Sequence, residues 1–504
     1  MKFVTKILAL PILALSLSGC GNQKVDYCKL RQKNNDYDMQ QLYCGINIPD
    51  RPLTIDDIVQ IALCRNLSLQ VKEQEYEIQR ESVTHQKLAM LPMLNANYES
   101  SGRTKNTGSF SESLTNRPPA PPSISSTQHT GRWDVNIVYN LLDFGIAYYR
   151  TRQECSKALI AQLEYQRLKQ NLVVDVTKQF WKALVSRRAL AVSKDIIAKT
   201  EEQQMNLQRQ MDAKVISEIQ GLRNKNRLIN IHLQLQSYER EYDSAMSELK
   251  LLMGIPSQIE IEVAEIESTD IDVEIDDVNE LECWALFHRP ELYSKDIEER
   301  IMVDEVHVSI LQMFPGIELF AGPYHDQNRF LIYNDWFAAG VRATADLLSI
   351  PQHMTAGSVA RKRQVLARKN RLALAIGVLA QVRLAYLVYE DNLESYILAK
   401  ELEQVNKDLL HAAKTEQRQG KLHEADILKY EAEAAFSEIN ALRALGELEN
   451  ALEQLNNSMG LPQHFRNSIE FDTEYSGDQD CYYEQCNECH ISDYSETTWI
   501  NNVR

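Results

Sequence analysis

The chain has 504 residues and a formal net charge of −17 at pH 7. That length allows several domains, and the acidity argues against nucleic acid as a partner. Past residue 20 no unbroken apolar run is long enough for a spanning helix, so any membrane crossing falls to alternating strands.

The first element is a targeting signal. Lys2 and Lys6 precede an apolar run from Ile7 to Leu17, which leads into Leu-Ser-Gly-Cys at Leu17–Cys20. A charged start, a short apolar core and a small-residue site make a secretory signal over 1–19, not a membrane span. The stretch resembles the bacterial lipobox. That resemblance implies cleavage before Cys20 and acylation of Cys20. Gly21 and Asn22 follow, with no Asp, which resembles an outer-membrane address. Residues 20–52 are then an N-terminal anchor segment. There are nine cysteines in all, in an oxidising compartment. Cys28 and Cys44 flank a loop-like segment and could pair. Cys64, Cys155 and Cys283 sit in helical contexts and read as buried thiols.

Two strands come next. "LNANYES" places Leu94, Ala96 and Tyr98 on one face. In "WDVNIVYNL", Trp133, Val135, Ile137, Tyr139 and Leu141 alternate with Asp134, Asn136, Val138 and Asn140. One apolar and one mostly polar face suit a barrel wall with lipid outside and water inside. Between them, the segment from Gly102 to Gly131 contains "RPPAPPSISS" and reads as exposed, extended chain. From Ile146 to about Gln208 almost no Gly or Pro interrupts a helix-forming composition. At ~1.5 Å per residue such a helix reaches roughly 90 Å. "QMDAKVISEIQ" then turns the chain, with Asp212 or Ser217 available as a cap, and "LLMGIP" closes the unit at Pro256.

The series then repeats. "ALCRNLSL" (Ala62–Leu69) aligns with "ALFHRPEL" (Ala285–Leu292), Met90–Pro92 with Met313–Pro315, and "LLMGIP" with "NSMGLP" (Asn457–Pro462). Two copies follow, over 53–256 and 285–462, with a linker over 257–284 and an acidic tail over 463–504. The second copy offers the strands "GIELFAG" and "WFAAGVRATADL", the latter with Phe337, Ala339, Val341 and Ala343 on one face. Trp133, Tyr139, Tyr324 and Trp336 suit an aromatic girdle. The loop from His325 to Asn334 is short. A second long helix runs from Gly357 to about Gln417, with heptad-like Leu402, Val405, Leu409 and Ala412. Four strands cannot close a barrel, since small barrels need about eight. A membrane reading therefore demands several copies.

The ordered series "LTIDDIVQIALCRNLSLQ", "LPMLNANYE", "YNLLDFG" and "LLMGIP", with its second-half counterparts, is similar to TolC-type outer-membrane efflux proteins. The resemblance covers Leu53 to Pro462. It implies a mainly α fold with a membrane β-barrel: an α-helical tunnel plus four strands per protomer in a twelve-stranded trimeric barrel. It implies a passive duct in a tripartite efflux or type I secretion system. Its partners would be two further copies, a periplasmic adaptor (membrane fusion protein), an inner-membrane pump and outer-membrane lipid. No catalysis and no cofactor are implied. Trp133, Val135, Ile137, Tyr139, Phe337 and Val341 would face lipid. The family's helix-turn-helix tips carry a Gly and, six residues on, an Asp. Gly420, Lys421, Leu422 and Asp426 match, and are expected to dock the adaptor. The first tip departs: with Asp212, Ala213 and Lys214, the Gly position falls on Ala213 and the Asp position on Ile219.

The tail supplies a competing signal. Cys486, Cys489 and His490 have the C-x-x-C-H spacing of c-type haem attachment. With Cys481 they could also hold a metal. The plain alternative is an acidic tail with free or disulfide-bonded thiols. A periplasmic redox protein and a non-channel coiled-coil scaffold thus stand beside the duct.

Overall fold

The computed structural model describes residues 26–44, 46, 48–109, 121–265, 277–346, 348–419, 421–422 and 424–460. Cys20, Gly420, Cys486, Cys489 and His490 lie outside them.

The chain opens with α1 (Tyr27–Tyr43), a polar helix capped by Asp26, whose carboxylate accepts from the Cys28 and Lys29 amides. Cys28 and Cys44 stand at its two ends, about 24 Å apart at ~1.5 Å per residue, which rules out the expected pair. The other thiols differ from expectation too. Cys64 and Cys283 are exposed and Cys155 is half-buried, because each sits on the solvent side of an amphipathic helix.

A capping box between Thr54 and Asp57 starts α2 (Ile55–Arg65), and Asn66 caps α3 (Leu67–Leu88) by accepting from the Leu69 amide. After the strands, α4 (Leu141–Asp212) runs unbroken for 72 residues, roughly 110 Å. Asn140, the last strand residue, caps it, so wall and helix are continuous. The return helix α5 (Glu218–Leu252) is half as long. The second half repeats this with α6 (Val278–His288), α7 (Pro290–Leu311), α8 (Ile350–Arg418, 69 residues) and α9 (Glu424–Met459).

Each repeat therefore has one full-length helix and two half-length helices that meet end to end. The C-terminus of α5 meets the N-terminus of α3, where the Asn66 amide donates to the Leu252 carbonyl at 2.9 Å. The C-terminus of α9 meets α7, where the Arg289 guanidinium donates to the Ser458 carbonyl at 3.1 Å. Arg167 on α4 joins this second joint, donating to the Asn457 carbonyl and pairing with Glu291 at 2.6 Å. Around the first joint lies a core of Leu53, Ile58, Leu69, Phe180, Leu249 and Met253. The segment after Pro256 packs into it: Leu53 and Val263 form a parallel bridge, and Ile261 is buried. Two further cores lie where α4, α5 and α9 pack together and where α6, α8 and α9 do.

One stretch of α8, from Leu372 to Tyr389, is long and apolar enough by length and composition to cross a membrane, although it is not an unbroken apolar run. Arg383 interrupts it, so a search for an unbroken run passes over it. Val378, Val382 and Tyr389 are buried against α6 and α9, while Leu372, Ile376, Leu384 and Leu387 face outward.

The strands β1 (Met93–Gly102), β4 (His129–Asn140), β5 (Gly316–Asp326) and β6 (Asp335–Thr344) form one antiparallel sheet in that order. Within the 102–131 segment, β2 (Thr107–Ser109) pairs with β3 (Ser123–Ser126). The expected extended chain is in part a hairpin, because Thr, Ser and Ile on either side of the Pro-rich stretch can ladder. Both repeats contribute two strands, and they meet at the β4–β5 pair. There Gly322 is required, since a β-carbon would run into the Val135 carbonyl oxygen of the neighbouring strand.

Candidate functional site

Cross-strand partners share a face, so the register sorts every side chain. On one face stand Leu94, Ala96 and Tyr98; Trp133, Val135, Ile137 and Tyr139; Leu319, Ala321 and Pro323; Phe337, Ala339 and Val341. These residues are all apolar, and Phe337 and Val341 are 70% and 69% exposed. All six expected lipid-face residues lie on this face. Its loop end carries Tyr98 opposite Trp133, which stacks on His325 at 5.5 Å. Its helix end carries Tyr139 against Phe144 at 5.9 Å. Aromatics at both borders of an apolar band are the pattern of a membrane-spanning wall.

The other face is polar. It carries Asn95, Asn97 and Glu99, then Arg132, Asp134 and Asn136, then Glu318, Asp326 and Arg342. Arg132 pairs with Asp326 and Arg342 with Glu318, each at 3.1 Å. Asp134 accepts from the Asn97 amide at 2.9 Å and from Asn136. Tyr324 and Trp336 also belong here, stacked at 5.8 Å, and not in the girdle with Trp133 and Tyr139. The signal was available: Trp336 precedes Phe337, and adjacent strand residues point to opposite faces.

At the loop end Asp326 and Asn328 organise the 325–334 turn. The Asn328 backbone amide donates to the Asp326 carboxylate at 2.9 Å, the Asn328 side-chain amide donates to the Ser125 carbonyl at 3.0 Å, and the Asn334 side chain donates to the Asp326 and Asn328 carbonyls. At the helix end the sheet joins the helices through a packed polar layer. Arg152 meets Asp304 at 2.8 Å, Arg150 meets Glu305 at 2.7 Å, and Tyr149 stacks on His307 at 5.0 Å. Burial pushes the Asp304 carboxyl up, against the opposing pull of Arg152, Arg300 and His307.

Two helical stripes have no cover within the protomer. On α8, Leu398, Leu402, Val405 and Leu409 are exposed at alternating steps of four and three, as is Ala412. On α5, Ile219, Leu222, Ile229 and Leu233 make a matching stripe that sequence reading missed. Both have the spacing of coiled-coil seams.

At the far end of α4 the turn differs by one residue from expectation. Ala213 is the right-handed C-cap, and Lys214 takes the left-handed position at φ +55°. The Val215 amide donates to the Gln210 carbonyl and the Lys214 amide to Met211, a Schellman closure. In the second repeat the Lys421 amide donates to the Glu416 carbonyl, the counterpart of the Val215 bond. By that correspondence Lys214, not Ala213, aligns with Gly420. The shift arises because nothing in Met-Asp-Ala-Lys marks a left-handed residue. Asp212 is the last residue of α4 and accepts from Gln208 at 3.1 Å, so it does not cap α5. Ser217 precedes α5, and its carbonyl accepts the Gly221 amide. Val215, Ile219 and Leu222 stand exposed around this tip. Lys421 is exposed and Leu422 half-buried at the second tip; the Asp426 side chain lies outside the description. Among the described residues no group of three or more His, Cys, Asp and Glu is arranged to hold a metal.

Residues 58–255 match the model of a family described as outer membrane efflux protein. No curated protein matches the chain. Solved structures with a similar fold include the Campylobacter jejuni CmeC outer membrane channel, at TM-score 0.64 and 14% identity, covering 82% of this chain and 88% of that one. The open state of the Neisseria gonorrhoeae MtrE outer membrane channel gives 0.63 and 16%, covering 81% and 89%. The outer membrane protein VceC from Vibrio cholerae gives 0.61 and 12%, covering 81% and 96%. The first repeat is thus similar in sequence to the outer membrane efflux proteins, and the protomer shares the fold of these solved outer-membrane channels.

Proposed function

We propose that three copies of this chain close a twelve-stranded barrel in the outer membrane and continue beneath it as a helical tunnel. The observation that carries this reading is the sheet: one face apolar, one polar, and two unpaired edges, β1 and β6. Strand directions alternate across the sheet, so β6 of one copy and β1 of the next are antiparallel and can ladder. Closure removes both edges. It turns the apolar face to lipid and the polar face to a water-filled lumen. The exposed stripes on α5 and α8 then become the helical seams between copies.

The barrel and tunnel act as a passive duct. An inner-membrane pump supplies energy and a periplasmic adaptor meets the tips, in a tripartite efflux or type I secretion system. The apolar residues around Lys214 support tip docking. Cys20, acylated after cleavage, anchors the chain beside the barrel. We hold the partition into repeats at 53–256 and 285–462, joined by 257–284 and followed by the 463–504 tail, as part of this proposal.

Native mass measurement in detergent tests the assembly, with three copies expected. Conductance in a planar bilayer tests the duct. A stable monomer that forms no pore overturns both. Mass analysis of the mature N-terminus is expected to find acylated Cys20; an uncleaved or unmodified end overturns the anchor.

A further inference from the structure

The polar face of the sheet holds two sets of the same ingredients, an aromatic ring and a carboxylate. In the first, near the helices, Arg342 lies over the Phe320 ring at 5.5 Å and pairs with Glu318 at 3.1 Å. A cation belonging to the protein satisfies both ring and acid. In the second, near the loops, Tyr324 and Trp336 stack at 5.8 Å with their planes 6° apart, and Asp134 stands directly across from Tyr324. Here Asp134 accepts hydrogen bonds from two neutral amides, Asn97 and Asn136. Among the described residues no Lys or Arg forms an ion pair with Asp134. The nearest base along β4, Arg132, is taken by Asp326. Trp336 keeps 40% exposure. A ring face attracts cations through its quadrupole, and a carboxylate without a base adds a full negative charge beside it.

We propose that Tyr324, Trp336 and Asp134 form a lumen-wall subsite for organic cations, repeated once per copy near the outer mouth. The proposal rests on the duct reading, which turns this face to the lumen. Its ligand class is a flat or bulky cation, aromatic or quaternary, with its charge against Asp134 and its apolar body on the stacked rings. Asn97 and Asn136 hold the carboxylate in place without neutralising it.

The test is a fluorescence-polarisation titration of ethidium against purified full-length trimer, with fluorescein as an anion of similar size. Trp336→Ala and Asp134→Asn are each expected to weaken ethidium binding about tenfold, in line with a ring–cation or ion-pair contribution. Trp336→Phe retains a ring face and is expected to bind within about threefold of the parent. Trp284→Ala removes a comparably exposed indole from α6 and is expected to change nothing. Fluorescein is expected to bind at least about tenfold more weakly than ethidium. Equal ethidium affinity in the parent, Trp336→Ala and Asp134→Asn overturns the subsite, as does equal affinity for the two dyes. Native mass of each variant checks the trimer. If Trp336→Ala loses it, Asp134→Asn decides alone, since it preserves side-chain shape. The titration needs no pore, so absence of conductance in a bilayer defeats the duct reading and leaves the binding result to stand or fall by itself.

Discussion

Gly254 lies so close to Arg65 that a β-carbon there would sit 2.4 Å from the Arg65 carbonyl oxygen, and its φ of +63° is left-handed. Gly460 repeats the relationship with His288, at 2.8 Å and φ +87°. Arg65 and His288 occupy matching positions in the two repeats. Each glycine is the joint at which one half-length helix ends against the start of another. Gly254→Ala is expected to cost at least about 2 kcal/mol, from left-handed strain plus displaced backbone. A lower melting temperature of the detergent-solubilised protein checks this. An unchanged melt would show that the joint tolerates a side chain.

Lys214 holds a left-handed position in the turn that ends α4. A β-carbon in that region costs roughly 1–2 kcal/mol. Lys214→Gly is therefore expected to steady the α4–α5 turn. Hydrogen exchange at the Lys214 and Val215 amides should slow by several-fold. Faster exchange would mean that glycine's extra unfolded-state freedom outweighs the relief.

The same tip supports a functional prediction. Val215 is an exposed apolar residue in the turn at the end of the bundle, outside the α5 stripe. Val215→Glu is expected to abolish export, read by drug susceptibility or secretion, with normal trimer levels in the outer membrane. Full export in that variant would remove this face from adaptor docking.

Leu402 and Val405 test the seam between copies. The double change Leu402→Glu, Val405→Glu places charges where two helices meet, leaving each protomer's own core untouched. Loss of the three-copy species in native mass measurement is expected. An intact trimer would show that the α8 stripe faces solvent or lumen.

Glu291 gives a pH dependence. Burial pushes its carboxyl up, but bonds from Arg289 and the charges of Arg167 and Arg289 outweigh this and hold it below the ordinary carboxylate range. A depressed folded value means that the ionised group stabilises above the unfolded pKa, near about 4.3. That contribution is lost as pH falls through the folded value. Glu291→Gln is expected to cost about 1–3 kcal/mol at neutral pH, and the gap from the parent should close in acid. A gap independent of pH would mean that Glu291 acts through shape alone.

Much of the architecture was legible because it is periodic. The match of Ala62–Leu69 with Ala285–Leu292 exposed the duplication, and the absence of breakers announced α4 and α8. Alternation around Trp133 and Phe337 placed the wall's apolar face. What escaped was positional. Tyr324 and Trp336 were grouped with Trp133 by residue type, when parity separates them. Lys214 carries no local mark of its left-handed backbone, so sequence alone places the turn residue one position early, at Ala213. Cys64 and Cys283 fall on exposed helix faces, which helical context alone does not reveal. The α5 stripe from Ile219 to Leu233 skips a turn at Asn226, and that polar interruption hides its period.

The pairing of Tyr139 with Leu319 has a bearing on biogenesis. β1–β4 and β5–β6 are each made within one repeat, whereas β4–β5 joins strands far apart in the chain, with a full helical hairpin between them. Loop closure puts that pairing late. Until the second repeat has emerged, β4 is an open edge beside an apolar face, the kind of surface that aggregates. Completion of the chain is thus a checkpoint. A truncated product holds half a wall with the wrong border strand and cannot offer β1 and β6 together to its neighbours, so under the proposed closure only full-length copies would qualify for the ring.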